Sequence, residues 1–250
     1  MSQIPCFIIN LARSESRLKK MTAALADMNI EFRRIEAVDG EFLGASEVAS
    51  FYDSNHTDVY YKHLNNGEIA CYLSHRKAWQ IMVDEQLPFA VILEDDITLT
   101  DGLVHVMETV SQLPTDWDYI KLAEQPVKRK AVDSQEFASL QRVIYNKLPA
   151  RTCAQVVSLA GAHKLLNHSQ RIFRPIDIDL QYWWEKELRV FGLIPYVAMP
   201  DMTVNSEIDT RQQRRHATQS LVQKWRNMWQ FFWLNRRYLK RRLAAIQRAK

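Results

Sequence analysis

The stretch Phe89-Ala-Val-Ile-Leu-Glu94-Asp95-Asp96 constrains this chain more than any other: an apolar run introduced by Pro88 stops in three consecutive carboxylates. Such a short run, rich in Val, Ile and Leu, predicts a strand buried in a parallel sheet. The acids then lie at its carboxyl end, where open α/β sheets bind their ligands. Carboxylates clustered there suit a hard divalent cation shared with substrate phosphates, such as Mg²⁺. On an extended backbone Glu94 and Asp96 project to one side and Asp95 to the other. A solvated acidic turn is the plain alternative, and the motif alone does not choose between them.

At 250 residues and 47% apolar composition, the chain can bury a full core as one α/β domain, with or without an appendage. Its three cysteines, Cys6, Cys71 and Cys153, are far apart and odd in number, which fits reduced thiols in a cytosolic compartment. The amino-terminal apolar run is too short and has no basic flank for a signal peptide. No segment approaches the roughly 20 apolar residues of a membrane span.

The net charge of +4 hides an asymmetry. Twelve Lys and Arg and no acid lie between Arg211 and Lys250; subtracting them from the 33 of the whole chain leaves 21 bases against 29 acids in residues 1–210. The expected organisation is therefore an acidic body, 1–210, and a basic helical tail, 211–250. Leu221, Trp225, Met228, Phe232, Leu239, Leu243 and Ile246 follow the three, four and seven residue steps of an apolar helical stripe. Trp229, Phe231 and Trp233 broaden it, while Arg236, Arg237, Lys240, Arg241 and Arg242 crowd together. Such a helix can lie in an anionic membrane surface, gaining apolar burial plus roughly 1 kcal/mol per basic residue near the headgroups. It can also pack its stripe on the body, or bind nucleic acid. No nucleic-acid motif occurs elsewhere in the chain, and the membrane surface is the preferred reading.

The first forty residues predict a βαβ start. Cys6 to Asn10 reads as strand; Leu18, Met21, Leu25 and Met28 repeat at helical spacing after Ser14 and Ser16, either of which could cap the helix. Phe32 to Ile35 is the next strand and Val38-Asp39-Gly40 a turn. Asn10, Arg13 and Arg17 then fall at the end of the first strand and in the first helical turn, where cations beside backbone donors suit a phosphate or nucleotide. Tyr52 to Leu64 reads as a long loop. Gly67-Glu68 opens a helix with Ile69, Leu73, Trp79 and Met82 inward and Ser74 and His75 part of the way along. No His-Cys or His-x-x-x-His spacing nominates zinc.

Beyond the acids, Leu103 to Leu113 predicts a helix, Asp118 to Leu122 a strand ending at Glu124, and 125–150 a strand pair on the sheet edge. Ala154 to Leu159 reads as strand, and Gly161 starts a short helix. Asp177 and Asp179 arrive at a turn marked by Pro175, before an aromatic helix at Tyr182-Trp183-Trp184. They serve either as helix caps or, one of them, as the base that deprotonates an acceptor hydroxyl.

Six blocks in order resemble glycosyltransferase family 25, which includes lipooligosaccharide and collagen galactosyltransferases. They are Ile9-Asn10-Leu11 with Arg13 and Arg17, Ala37-Val38-Asp39-Gly40, Gly67-Glu68-Ile69 with Leu73-Ser74-His75, Ile92-Leu93-Glu94-Asp95-Asp96, Gly161-Ala162 with Leu165-Leu166, and Pro175-Ile176-Asp177. The chain departs from the family at Ala154-Gln155-Val156, where an aromatic usually follows small residues.

The resemblance implies a GT-A type fold, a Rossmann-like mixed sheet flanked by helices, and a UDP-sugar donor. It also implies a Glu-Asp-Asp version of the metal motif holding Mn²⁺ or Mg²⁺. Asp96, with Glu94, is the expected metal ligand. Asn10, Arg13, Arg17, Asp39, Glu94 and Asp95 are expected around the nucleotide sugar, with Ser74 and His75 matching a family block beside it. Inversion implies a base, with Asp177 first and Asp179 second. The expectation is a galactosyltransferase extending a lipooligosaccharide acceptor, peripheral on the cytoplasmic face of a bacterial inner membrane through residues 211–250. A different hexose donor and a non-catalytic binding module are the alternatives. A Mg²⁺ phosphohydrolase needs a nucleophilic aspartate near the first strand, and that position reads Asn10-Leu11.

Overall fold

The structure is a computed structural model and describes residues 4–52, 59–123, 129–201 and 221–249. In chain order its elements are β1 (Cys6–Asn10), α1 (Glu15–Asp27), β2 (Arg33–Glu36), α2 (Ala45–Phe51), α3 (Asn66–Asp84), β3 (Phe89–Glu94), β4 (Ile97–Leu99), α4 (Gly102–Val110), β5 (Tyr119–Lys121), β6 (Ala131–Phe137), β7 (Leu140–Tyr145), β8 (Ala154–Ser158), α5 (Leu159–Asn167), α6 (Ile176–Asp179), a 3-10 helix (Leu180–Lys186), β9 (Val190–Ile194), β10 (Ala198–Pro200) and α7 (Leu221–Ala249).

Eight strands form one mixed sheet in the order β2-β1-β3-β8-β5-β9-β7-β6, and β10 pairs with β4 beside it. The βαβ start holds, with β1 parallel to both β2 and β3. β3 is buried as predicted but has a parallel neighbour on one side only; β8 runs antiparallel on the other, with Leu93 opposite Ala154. The predicted edge pair is the antiparallel hairpin β6–β7.

Strand residues alternate between two cores. Phe7, Ile9, Ala90 and Ile92 face α3 and α5, whereas Cys6, Ile8, Val91 and Leu93 face α1 and α4. Both faces are covered, which is why these strands read as unbroken apolar runs. α3 opens with a capping box that the sequence reading passed over: Glu68 N–H donates to the Asn65 side chain at 2.8 Å, and Asn65 N–H to the Glu68 carboxylate at 3.1 Å. Trp79 on this helix is wholly buried, and truncating it to Ala should cost about 3–5 kcal/mol.

Several boundaries differ from expectation. Ser14 occupies the N-cap position of α1 without a side-chain capping bond. α5 begins at Leu159 because Ser158 caps it, accepting from Gly161 N–H at 3.0 Å. A Cβ on Gly161 would lie 2.1 Å from the Asp118 carbonyl, so only glycine allows α5 this close to the start of β5. The aromatic segment after Asp179 is a 3-10 helix kinked at Tyr182. Glu124 and residues 53–58 of the loop after Tyr52 lie outside the described residues.

Candidate active site

The antiparallel pairing of β3 with β8 brings the acidic end of β3 beside the residues that enter β8. Glu94 N–H donates to Cys153 O at 2.8 Å. As the alternation requires, Glu94 points to the α3 side. Its Oε1 accepts from His75 Nε2 at 2.9 Å and from Thr152 Oγ1 at 2.7 Å. The amide nitrogen of Gln155 lies 2.9 Å from His75 Nδ1; an amide nitrogen only donates, so Nδ1 accepts and the ring proton sits on Nε2, aimed at Glu94. Burial opposes ionisation of Glu94, but His75, Thr152 and the charge of Lys121 outweigh it and hold its pKa below the ordinary value.

Asp95 faces the other way, towards α1. Asn10 Nδ2 donates to its Oδ2 at 2.6 Å, and Arg17 approaches to 3.5 Å. Asn10 also donates to Ser14 O and accepts from Arg34 Nε, so one buried side chain ties the end of β1, the start of α1 and β2 to the acid. Arg13 pairs instead with Asp39 in the turn after β2. That turn is fixed in place: Val38 N–H donates to Ser74 Oγ at 2.8 Å, and a Cβ on Gly40 would meet the backbone of Asn66 at 2.8 Å. Ser74 and His75 are thus buried supports of the turn and of Glu94.

Asp96 differs from both neighbours. No described residue donates to its carboxylate; Arg17 and Arg151 are the cations whose charge reaches it. Burial, then the charges of Glu94 and Asp95, push its pKa up to about 6. The second oxygen of Glu94 likewise receives no described donor. Excess negative charge on hard oxygen atoms fits a divalent cation such as Mn²⁺ or Mg²⁺.

A second grouping lies beside the acids: Cys71 and His75 are one turn apart on α3 and, with Glu94, have ligand atoms within 4.8 Å of one another. Both nitrogens of His75 already have partners, and burial raises the Cys71 thiol well above its ordinary pKa. The oxygen-only set at Asp96 therefore fits a hard ion better.

The two candidate bases part company. Asp179 is buried among Lys186 at 2.9 Å, Arg174 at 3.2 Å and the Tyr72 hydroxyl at 2.6 Å. Burial opposes its ionisation, but Lys186 and Arg174 outweigh it and lower the pKa, so this carboxylate anchors α6 to α3. Among the described residues, Asp177 accepts only from backbone N–H groups, Ile178 at 2.8 Å and Arg151 at 3.4 Å. Burial raises its pKa, with the charge of Glu94 adding to the effect.

The sequence gives no functional role to Lys121, Arg151 or Thr152, and marks Gln155 only as part of the departure from the family pattern. Lys121 is buried within a strand and donates to the carbonyls of Ala150 and Arg151. It thereby holds Arg151 at φ 66°, a left-handed conformation costing on the order of 1 kcal/mol in a non-glycine residue. The lysine inside the apolar run Tyr-Ile-Lys-Leu-Ala was the one available signal.

A family model described as glycosyltransferase family 25 (LPS biosynthesis protein) matches residues 3–180. A Bos taurus protein described as probable inactive glycosyltransferase 25 family member 3 is 31% identical over 220 residues, covering 78% of this chain and 36% of its own length. Human procollagen galactosyltransferase 2 is 28% identical over 218 residues, covering 78% of this chain and 34% of its own. The chain spans about a third of the length of the curated relatives it matches. Among solved structures, a glycosyltransferase involved in glycosylation of the major capsid of PBCV-1 overlaps with a TM-score of 0.46 at 10% identity, over 85% of this chain and 99% of that one. With a family model that matches residues 3–180, well over half the sequence, the chain belongs to glycosyltransferase family 25.

Proposed function

We propose that this protein is an inverting, metal-dependent galactosyltransferase that moves galactose from UDP-galactose to a sugar of a lipooligosaccharide or lipopolysaccharide acceptor. The observation that carries this reading is Asp96, a carboxylate left without a described donor beside two other acids and within reach of the charges of Arg17 and Arg151. A divalent Mn²⁺ or Mg²⁺ held by Asp96 and Glu94 would neutralise charge on the diphosphate as the nucleotide departs. The protein does the rest. His75 and Thr152 fix the angle of Glu94; Asn10 and Arg17 fix Asp95 towards the nucleotide. Arg13 and Asp39 bound the nucleotide end, and Arg151 offers a cation beside Asp96.

Asp177 is the base. It takes the proton of the acceptor hydroxyl while that oxygen bonds to the anomeric carbon and the bond from that carbon to the phosphate oxygen breaks. A raised pKa suits this task, because proton acceptance is most effective when the base titrates near the working pH. The lipid-linked acceptor sets the enzyme on the cytoplasmic face of a bacterial inner membrane.

Transfer assays over a panel of UDP-sugars, with and without chelator, test the proposal. Galactose transfer that requires Mn²⁺ or Mg²⁺ supports it; transfer of glucose alone changes the donor, and transfer undiminished by chelator overturns the metal role. The relatives described as inactive favour a second reading, a non-catalytic member. Metal-dependent UDP binding with no turnover of any donor would select it.

A further inference from the structure

We propose that the amino-terminal half of α7 is a docking face for an anionic lipid bilayer, lying flat on the surface. This deepens the membrane-surface location of the proposed function, and its test does not depend on transfer activity.

The stripe seen in the sequence is divided in the structure. Its carboxyl-terminal half is seated on the body. Tyr238 stacks on Trp184 with centroids 5.6 Å apart, the Arg242 guanidinium lies 4.5 Å over Phe191, and Leu239, Leu243 and Ile246 pack against the second core. The amino-terminal half is held from its inner side alone. Asn227 donates to Val59 O at 3.2 Å, and Phe231 meets Tyr182 and Trp184. Its outer side presents Trp225 at 71% exposure, Trp229 at 68%, Phe232 at 55% and Trp233 at 52%. At 100° per residue these four fall within an arc of roughly 100°, and Arg236 and Lys240 continue the same arc one and two turns later.

The chemistry of the face selects its occupant. Exposed tryptophans prefer the boundary where an apolar ring meets a wet headgroup layer. The helix carries eight Lys and Arg and no acid from Leu221 to Ala249, so a second copy of this face would be repelled, whereas anionic headgroups would be attracted. Duplex nucleic acid would satisfy the charges and leave the aromatic row without its apolar partner, since its bases are already stacked on one another. Among the described residues no helix is long and apolar enough to cross a membrane, so the contact is interfacial.

The test uses the full chain, without donor. Vesicles of phosphatidylcholine alone and of phosphatidylcholine with 30% phosphatidylglycerol, an order-of-magnitude choice for a bacterial-like surface, are compared by co-sedimentation and tryptophan emission. Binding is expected to the anionic vesicles with a blue shift, falling at least tenfold in high salt and at least tenfold in the triple variant Trp225→Ser, Trp229→Ser, Trp233→Ser. Brominated lipids should quench the wild-type protein, a readout that needs no variant. The triple variant should keep transfer to a soluble acceptor, and Asp96→Ala should still bind vesicles, so loss of catalysis and loss of docking are separable. Absence of quenching, unchanged vesicle binding by a folded triple variant, or concentration-dependent dimerisation through this face without vesicle binding would overturn the proposal.

Discussion

The end of β3 and the α6 turn hold the same kind of group and treat it in the same two ways. At β3, Glu94 is supplied with donors and its pKa is lowered, while Asp96, two residues on, has none among the described residues and rises to about 6. In α6, Asp179 is supplied with two cations and a hydroxyl and is lowered, while Asp177, two residues earlier, has backbone donors alone among the described residues and is raised. In each pair one acid stabilises the scaffold and the other is left under-satisfied, at a cost that a ligand or a proton can relieve. Separation along the chain does not assign these roles; the donors brought by other elements do.

The sharpest way to break that comparison is to remove the amide-isosteric charge from each α6 acid. Asp177→Asn should lower turnover by about 10²–10⁴-fold, the range for a lost general base, with UDP and metal binding and melting temperature nearly unchanged. Asp179→Asn should instead leave Lys186 and Arg174 buried without a counter-charge and destabilise the fold by about 3–5 kcal/mol, read by denaturant unfolding. The reverse pattern would exchange the two roles.

A smaller effect is expected at the supports of Glu94. His75→Ala and Thr152→Val should each weaken Mn²⁺ binding by about 10–100-fold, the usual scale for residues that orient a ligand, measured by titration calorimetry on the folded variant. Unchanged affinity in both would leave Glu94 outside the metal site.

The smallest effect carries a sign. Asp96 has a raised pKa in the folded protein, so its contribution to stability is fully present below the ordinary carboxylate pKa near 4 and is lost as pH rises through about 6. Asp96→Asn should therefore stabilise the metal-free protein at pH 7.5 by roughly 1–2 kcal/mol, discounted for partial solvent contact, with the gain vanishing below about pH 4. Thermal unfolding at the two pH values decides it; destabilisation at pH 7.5 would mean that the acid is well paired after all.

The parts of the fold legible in the sequence were those carried by local pattern. β1, α1, α3 and β3 have clean apolar periods, and the polar segment before Tyr145 did form an edge hairpin. The acidic blocks could be found because carboxylates ending an apolar strand are conspicuous. What stayed hidden depends on contacts distant along the chain. Thr152 and Gln155 matter only because β8 runs antiparallel to β3 in a register that puts Gln155 opposite Ile92, and no local rule fixes that register. Gln155, at the point where the chain departs from its family's usual aromatic, uses its amide to hold His75. The α7 stripe was visible but not its division, since Trp184 and Phe191, which cover one half, lie far away in sequence.

Isothermal titration of UDP, with and without Mn²⁺, into the wild-type protein and Asp96→Ala tests the central claim most directly. The account predicts metal-dependent binding to the wild type and at least a tenfold loss in a variant that remains folded. Equal UDP affinity in both proteins, or in the wild type with chelator present, would contradict it.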